Sequence, residues 1–238
     1  MKIQDIIEKY KNESTRIELP IFVGINEQNT LETASLNELN HILIGGSTGS
    51  GKSTFEHTIV KTLIELVPKE YVRFLLIDMK RVDLIIYNKL PNLICPVIYD
   101  SEKAFFQLEQ LVIEKNKDIK SFKGKYKNTI VIIDTFSDLI LFDKNRFEYV
   151  IEQLTYDSNK SGIHLIISDS RLSSEIYTDK IINLFPTKIC FNVTNAQDAE
   201  FLLGRTESYA DQLKGNGDLL YFARDTTTPI RLQAPSLK

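Results

Sequence analysis

A short stretch rich in glycine, serine and threonine constrains this chain more than any other feature. Residues 45–54 read Gly-Gly-Ser-Thr-Gly-Ser-Gly-Lys-Ser-Thr and follow the apolar run 41–44. They contain the pattern G-x-x-x-x-G-K-[ST], in which glycines let backbone amides converge on phosphate, the lysine adds charge and the last hydroxyl faces Mg²⁺. A helical pattern over Lys52–Leu66 follows and points its dipole at the same place. We therefore predict a site for ATP and Mg²⁺ formed by Gly46, Ser47, Thr48, Gly49, Ser50, Gly51, Lys52, Ser53 and Thr54; the alternative is a glycine-rich turn without a ligand.

Composition limits the class of protein without deciding its partner. The 238 residues are 42% hydrophobic, which suits a globular core, and the net charge of −3 neither requires nor excludes a polyanion. Cys95 and Cys190 lie in apolar, strand-like contexts and are expected to be buried, reduced thiols. No long apolar run and no signal-peptide core occur, so we expect a cytoplasmic protein, with any membrane anchor on another chain or removed.

Apolar strands alternate with helices along most of the chain, which predicts a parallel sheet covered on both faces. An amphipathic helix is predicted over residues 2–12, and we divide the chain into a lead-in, residues 1–19, and one domain, residues 20–238. Two hairpins are predicted, at 21–25 with 31–35 and at 218–222 with 229–233. The remaining predicted strands are 42–45, 73–78, 97–99, 129–134, 164–168 and 188–193, and the later helices are 101–120, 145–158, 176–184 and 196–203.

A carboxylate at a strand end is the second requirement of a phosphate-loop site. The apolar strand 129–134 ends in Asp134, which we predict to be the Mg²⁺ ligand together with Ser53. Asp78 ends another apolar strand and is its competitor; either residue could instead cap the next helix. Thr135 follows Asp134 where a Glu is frequent in such motors, and its hydroxyl could position water but is a poor base. Asp138 could substitute, or could simply favour a helix start.

Several further segments together carry a family resemblance. In order, they read Ile77-Asp78-Met79-Lys80-Arg81-Val82-Asp83-Leu84, Tyr87-Asn88, Leu90-Pro91, Cys95-Pro96-Val97, Ile133-Asp134-Thr135-Phe136-Ser137-Asp138-Leu139, Gly162-Ile163-His164-Leu165-Ile166, Phe185-Pro186-Thr187-Lys188-Ile189-Cys190-Phe191, Leu202-Leu203-Gly204 and Gly215-Asn216-Gly217-Asp218-Leu219-Leu220-Tyr221. These segments resemble the FtsK/SpoIIIE-type DNA translocases, over roughly residues 20–235.

The resemblance implies a RecA-like P-loop NTPase fold. Such a fold has a mostly parallel central sheet flanked by helices on both faces, here with an N-terminal helix and peripheral β-hairpins. It further implies a hexameric ring that threads double-stranded DNA and hydrolyses ATP between subunits. By resemblance, Lys188 and Arg171 would be cations that reach a neighbour's nucleotide, joining Lys52, Asp134 and Thr135 as catalytic residues. An alternative for Lys188 is a surface lysine at a strand start.

The departures from the family pattern fall on its hydrolytic side. Thr135 stands in the place of Glu, Ser170 in the place of a Gln, and Leu172 in the place of a Pro. Residues 198–200 also exchange an arginine for Glu200. We therefore expect an ATP-binding motor domain with weakened hydrolysis. The alternative is a hydrolysis-deficient assembly or regulatory module of a DNA-transfer or secretion machine; a secretion ATPase is disfavoured because residues 78–88 resemble the DNA motors.

One strongly basic stretch is a potential DNA contact. Phosphate contacts by its lysines would give salt-sensitive, sequence-independent affinity, whereas the alternative is a solvated helix end and loop. His41, His57 and His164 share no metal-ligand spacing, and His41 and His164 are predicted to be structural. The lysines of the basic stretch are Lys115, Lys117, Lys120, Lys123, Lys125 and Lys127.

Overall fold

A nine-stranded mixed sheet forms the centre of the described part of this protein. The structure is a computed structural model that describes residues 1–14, 17–118, 128–157, 161–174, 176–194, 196–204, 210–223, 226 and 228–237. The strands are β1 (Pro20–Ile25), β2 (Leu31–Ser35), β3 (Ile42–Gly45), β4 (Val72–Asp78), β5 (Asn128–Asp134), β6 (Ile163–Asp169), β7 (Thr187–Phe191), β8 (Asp218–Phe222) and β9 (Ile230–Gln233). Their order in the sheet is β2-β1-β9-β8-β7-β3-β6-β5-β4. Strands β7, β3, β6, β5 and β4 run parallel, and β8, β9, β1 and β2 extend the sheet antiparallel. The predicted α/β class and both predicted hairpins are confirmed.

Continuous apolar runs place the parallel strands in the middle of three layers. In β5, Val131 and Ile133 face one core cluster, whereas Ile130 and Ile132 face the other. The first cluster is closed by α4 (Ser101–Asp118) and α6 (Lys144–Thr155), and the second by α3 (Lys52–Leu66). All four β5 side chains are fully buried, which is why this strand lacks the polar alternation of a one-sided sheet.

The helices agree with the predicted pattern but differ at their ends. Asp143 accepts a hydrogen bond from Arg146 N and so starts one helix at Lys144, while Thr178 caps a helix much shorter than the predicted 176–184. In the described part of the chain, no helix combines the length and apolarity needed to cross a membrane. The helices are α1 (Ile3–Lys11), α2 (Leu36–Leu39), α3 (Lys52–Leu66), α4 (Ser101–Asp118), α5 (Ser137–Phe142), α6 (Lys144–Thr155), α7 (Asp179–Asn183) and α8 (Ala196–Leu203).

The predicted strand 97–99 is wrong. Residues 92–98 instead run along the outer edge of β4 through separate contacts: Phe74 N–H donates to Asn92 O at 2.9 Å, and Asp78 N–H donates to Ile98 O at 2.8 Å. Pro96, which lies between these contacts, lacks the N–H group that a continuous ladder needs, so the segment covers the edge without becoming a strand. Cys95, on this segment, is only partly buried, which corrects its prediction; Cys190 is buried, and both thiols are free.

Helix α1 packs against the sheet through its apolar face. Ile3, Ile6, Ile7 and Tyr10 are buried, and the Tyr10 ring meets the Phe22 ring edge-on with 5.2 Å between centroids. Near the start of the helix, Ile3 N–H donates to Ser236 O at 2.8 Å and Ser236 N–H donates to Met1 O at 3.0 Å. The two ends of the described chain are therefore adjacent. The division at residue 19 stays a prediction.

The structure corrects one lysine of the basic stretch. Lys115 is buried, and its ammonium donates to the carbonyl oxygens of Gln153, Leu154 and Tyr156 at the carboxyl end of α6. Lys115 thus satisfies carbonyls that a helix end leaves unpaired and is unavailable to DNA. Lys117 is exposed. The other four, Lys120, Lys123, Lys125 and Lys127, lie outside the described residues.

Two buried histidines stand at the amino ends of the central strands. His164 Nδ1 lies 3.2 Å from Asn40 O, and His41 Nδ1 accepts the N–H of Leu165 at 3.1 Å. Burial lowers the pKa of His164 to about 4, and burial together with the charge of His164 lowers that of His41 to about 3. Both side chains therefore stay neutral in the fold, which supports the structural role predicted for them.

Replacing His164 with Gln should make the protein less sensitive to acid. The unfolded chain binds a proton at His164 below about pH 6.5 and the native protein does not, so its contribution to stability is lost as the pH falls toward 4. As the pH falls from 7 to 5, the free energy of unfolding of His164→Gln, measured with urea, should rise by about 2 kcal/mol relative to that of the wild type. A difference between the two proteins that stays constant with pH would contradict this assignment.

Candidate nucleotide site

Three glycines give the loop between β3 and α3 its shape. Gly46, Gly49 and Gly51 have φ angles of +152°, +79° and +126°, which side-chain-bearing residues rarely adopt. A Cβ on Gly46 would lie 2.7 Å from the Cβ of Phe191, and one on Gly51 would lie 2.9 Å from the backbone nitrogen of Gly217. Both approaches are too close for any side chain, so these two glycines are required by packing as well as by backbone conformation.

Backbone groups from distant parts of the chain hold this loop in place. Ser47 donates its N–H to Asn192 O at 2.8 Å and its hydroxyl to the same oxygen at 2.9 Å. On the other side, Gly217 N–H donates to Ser50 O at 2.9 Å. The loop is therefore fixed by the segments that follow β7 and precede β8. Sequence reasoning missed these supports, because nothing local marks residues so far apart as partners.

Lys52 folds back over the loop. Its ammonium donates to Gly46 O at 2.7 Å and to Ser47 O at 3.0 Å, and the side chain is buried. Burial lowers the pKa of Lys52, the charge of Lys80 lowers it further, and Asp134 opposes both effects. The cation is therefore held inside the loop by neutral carbonyls, which are weak partners that an anion could replace.

Asp134 lies at the end of β5 with one oxygen satisfied and one free. Its Oδ1 accepts the Ser168 hydroxyl at 2.9 Å and the Thr135 hydroxyl at 3.3 Å, whereas its buried Oδ2 has no partner in the described part of the chain. Burial raises the pKa of Asp134, while Lys80 and the Ser168 hydroxyl lower it. A buried carboxylate oxygen without a donor fits a Mg²⁺ ligand, direct or through water, with the half-buried Ser53 as second ligand.

One oxygen of the competing carboxylate, Asp78, is occupied by its own loop, whereas its buried Oδ1, like Oδ2 of Asp134, has no partner among the described residues. Asp78 lies beside Asp134 in the parallel register, but its Oδ2 accepts the N–H groups of Asp83 and Leu84, both at 2.9 Å. Asp78 thus caps the one-turn 3-10 helix Leu84–Tyr87, which is one of the two roles considered from sequence. Over the described ranges, no cluster of three or more His, Cys, Asp or Glu side chains could hold a metal, so a bound Mg²⁺ would depend on phosphate oxygens.

Thr135 has an unusual backbone conformation beside Asp134. Its φ is +60°, a left-handed conformation that is costly for a β-branched residue. The side chain is buried, and its N–H donates to Ser168 O at 2.9 Å. Because its hydroxyl donates to Asp134, Thr135 presents no basic group to a water molecule.

The loop after β6 is organised by Asp169, a residue that sequence reasoning did not single out. Asp169 Oδ2 accepts Ser137 N–H at 2.6 Å, and Oδ1 accepts the N–H groups of Ser170 and Arg171 at 2.7 and 2.8 Å. The Arg171 side chain is exposed, with its guanidinium 4.0 Å from Asp138. Asp138 therefore faces Arg171, and among the described residues no hydrogen bond or ion pair joins either side chain to the phosphate loop.

Lys188 lies apart from the loop of its own chain. In β7 it pairs with Leu43, whereas the end of β3 at Gly45 pairs with Cys190. The side chain is partly buried, which lowers the pKa of its ammonium. No hydrogen bond or ion pair joins it to the phosphate loop within the described residues.

A buried carboxylate that sequence reasoning missed lies beneath the site. Glu56, one turn after Lys52 on α3, is fully buried, and neither of its oxygens has a donor in hydrogen-bonding geometry among the described residues. Burial and the charge of Asp134 raise its pKa well above the ordinary value, while the nearby Ser168 hydroxyl and Lys52 lower it. The helical pattern gave no signal for it, since Glu is a common residue on exposed helix faces.

Replacing Glu56 with Gln should stabilise the nucleotide-free protein at neutral and alkaline pH. The pKa of Glu56 is raised in the fold, so its contribution is complete below about pH 4.5 and is lost as the pH rises toward the folded value. The difference in free energy of unfolding between Glu56→Gln and wild type, measured with urea, should increase in favour of the variant by up to about 1.4 kcal/mol per pH unit above 4.5. Glu70→Gln, at an exposed position, is the control and should show no such trend; an equally flat profile for Glu56→Gln would refute the assignment.

The sequence matches a known family and its curated members. The profile of the FtsK/SpoIIIE family matches residues 2–125. Over 261 aligned positions the chain is 30% identical to the DNA translocase FtsK of Chlamydia muridarum, covering 98% of this chain and 33% of the relative. Over 247 positions it is 33% identical to the DNA translocase FtsK of Caldanaerobacter subterraneus subsp. tengcongensis, covering 97% and 35%. The chain thus spans about a third of the length of these relatives.

Solved structures share the fold. The pCW3 conjugation coupling protein TcpA, in a monomer form with ATPγS, superposes with a TM-score of 0.79 at 25% identity, covering 97% of this chain and 69% of that one. The cytoplasmic domain of the type VII secretion ATPase EccC of Thermomonospora curvata superposes with a TM-score of 0.83 at 17% identity, covering 99% and 32%. The predicted RecA-like P-loop fold is therefore confirmed. Taken with the phosphate loop and the carboxylate beside it, these matches establish that the chain belongs to the FtsK/SpoIIIE family.

Proposed function

We propose that this domain binds Mg·ATP and hydrolyses it slowly while acting on double-stranded DNA as a hexameric ring in the cytoplasm. The observation that carries the proposal is the convergence of the glycine loop, Lys52 and the unpartnered Oδ2 of Asp134 at one edge of the sheet. The names of the relatives support the choice of DNA, and the ATPγS in the TcpA structure supports the choice of nucleotide.

The chain's own residues would divide the work as follows. The loop amides from Gly46 to Thr54 bind the phosphates, and Lys52 exchanges the carbonyls of Gly46 and Ser47 for phosphate oxygens. Ser53 and Asp134 would hold Mg²⁺, which neutralises charge on the terminal phosphates when bound. Thr135 positions water without removing its proton.

Slow hydrolysis follows from the lack of a base beside Asp134. General-base catalysis contributes about 10²- to 10⁴-fold to a rate, and the Thr135 hydroxyl already donates to Asp134. We further propose that Lys188 and Arg171 act on a neighbour's nucleotide, since neither contacts the loop of its own chain. Within the basic stretch, Lys117 is the described lysine that is available for phosphate contacts of the kind that would bind DNA.

A second candidate is favoured by the same threonine. An ATP-binding assembly or regulatory module of a DNA-transfer or secretion machine would keep the phosphate loop and dispense with the base. Binding of ATP without turnover could then stabilise an assembly by mass action alone.

Steady-state ATP hydrolysis, measured with and without long duplex DNA at low salt, should separate the two candidates. A motor should hydrolyse ATP several-fold faster when DNA is added, and Lys52→Ala should lower that rate about 100-fold or more because it removes a charge beside the developing negative charge. Lys61→Ala, on the same helix, is the control. Background hydrolysis in both conditions, together with retained binding of a labelled nucleotide, would exclude the motor and favour the module.

Restoring an acidic side chain at position 135 should raise the hydrolysis rate. Thr135→Glu supplies a base and removes a β-branched residue from a positive φ. A well-placed base can raise a rate by roughly 10²- to 10⁴-fold, so we expect kcat to rise at least tenfold. Thr135→Gln has the same shape without the base and should stay near the wild-type rate. Equal rates for the two variants would show that the absence of a base does not limit hydrolysis.

A further inference from the structure

We propose that Lys80 is a second phosphate-binding cation of this site and that it distinguishes ATP from ADP by contacting the terminal phosphate. The inference rests on the proposed nucleotide-binding function and names a residue to which neither the sequence motif nor the site description gave a role. It depends on where the chain turns after β4, on which side chains of that turn are occupied, and on the electrostatics around Asp134.

The turn after β4 brings Lys80 to the carboxyl edge of the sheet. Asp78 ends β4 in register with Asp134, and Arg81 N–H donates back to Asp78 O at 3.1 Å. Lys80 therefore lies within a tight turn beside the end of β5. The Asp78 carboxylate fixes the far side of this turn through the N–H groups of Asp83 and Leu84.

Of the two cations in this turn, one is occupied and the other is available. Arg81 stacks its guanidinium over the Tyr99 ring, 3.9 Å from the centroid, which directs it toward the edge segment and away from the site. Lys80 is exposed and makes no hydrogen bond or ion pair with any other described residue. A lysine without such a bond to any described residue can bind a ligand without first giving up a hydrogen bond or an ion pair.

The position of β4 in the sheet indicates which phosphate Lys80 would contact. Strands β6 and β5 lie between β3, which leads into the phosphate loop, and β4, so about three strand spacings of 4.8 Å separate them. The phosphate groups closest to the loop are cradled by its amides. A cation beyond Asp134 would therefore meet the phosphate furthest from the cradle, which ADP lacks.

The charge of Lys80 acts on both sides of the gap. Among the charged neighbours of Lys52 and of Asp134, Lys80 has the largest effect on the pKa, and it lowers the pKa of both groups. Without a ligand, Lys80 and Lys52 repel each other across the site. A polyanion between them would turn this repulsion into attraction on both sides, which is how paired cations favour a more highly charged ligand.

The test compares the affinities of ATPγS and ADP, each with Mg²⁺, by calorimetry on the whole chain. Lys80→Met should weaken ATPγS about tenfold, the scale of one charge contact near a protein surface, and change ADP less than twofold. Lys80→Arg should restore most of the ATPγS affinity. Lys89→Met, an exposed lysine of the same segment, should change neither.

The outcomes separate this inference from the proposed function. If wild type binds neither nucleotide, the proposed function fails. If wild type binds ATPγS and Lys80→Met leaves its affinity unchanged, or weakens ATPγS and ADP equally, the assignment of Lys80 to the terminal phosphate is overturned while nucleotide binding stands.

Discussion

The hydrogen bond from the Ser168 hydroxyl to Asp134 links the sheet to the nucleotide site. It connects the ends of β6 and β5, and Thr135 and Phe136 add N–H bonds to Ser168 O. Because this contact fixes one carboxylate oxygen of Asp134, the other is presented in a single direction. The positive φ of Thr135, the start of α5 and the orientation of the loop after β6 all depend on these two strand ends remaining in register.

The candidate site buries three ionisable side chains in the interior of the protein. Lys52, Glu56 and Asp134 are all buried, and burial is the largest effect on the pKa of each. Each group would be cheaper to bury as a hydrocarbon, so the arrangement weakens the nucleotide-free protein. A ligand carrying both phosphate charge and a divalent cation would supply the missing partners, which makes folding stability and nucleotide occupancy interdependent.

Local patterns predicted the parts of this structure that local sequence determines. The glycine loop, the apolar strand before Asp134 and the alternation of strands and helices follow from residue order, and all were found. The strand predicted at 97–99 failed because Pro96 interrupts the ladder, and Lys115 was misassigned because its carbonyl partners lie at the carboxyl end of α6. Glu56, Asp169 and the Asn192 support of Ser47 could not be predicted, since tertiary packing alone defines their roles.

The adjacent ends of the described chain have a mechanical consequence. The backbone pairing of Ile3 and Met1 with Ser236 means that anything attached at either end would pull from one point on the surface. Tension between two such attachments would act first on the backbone hydrogen bonds that join the start of α1 to the segment after β9.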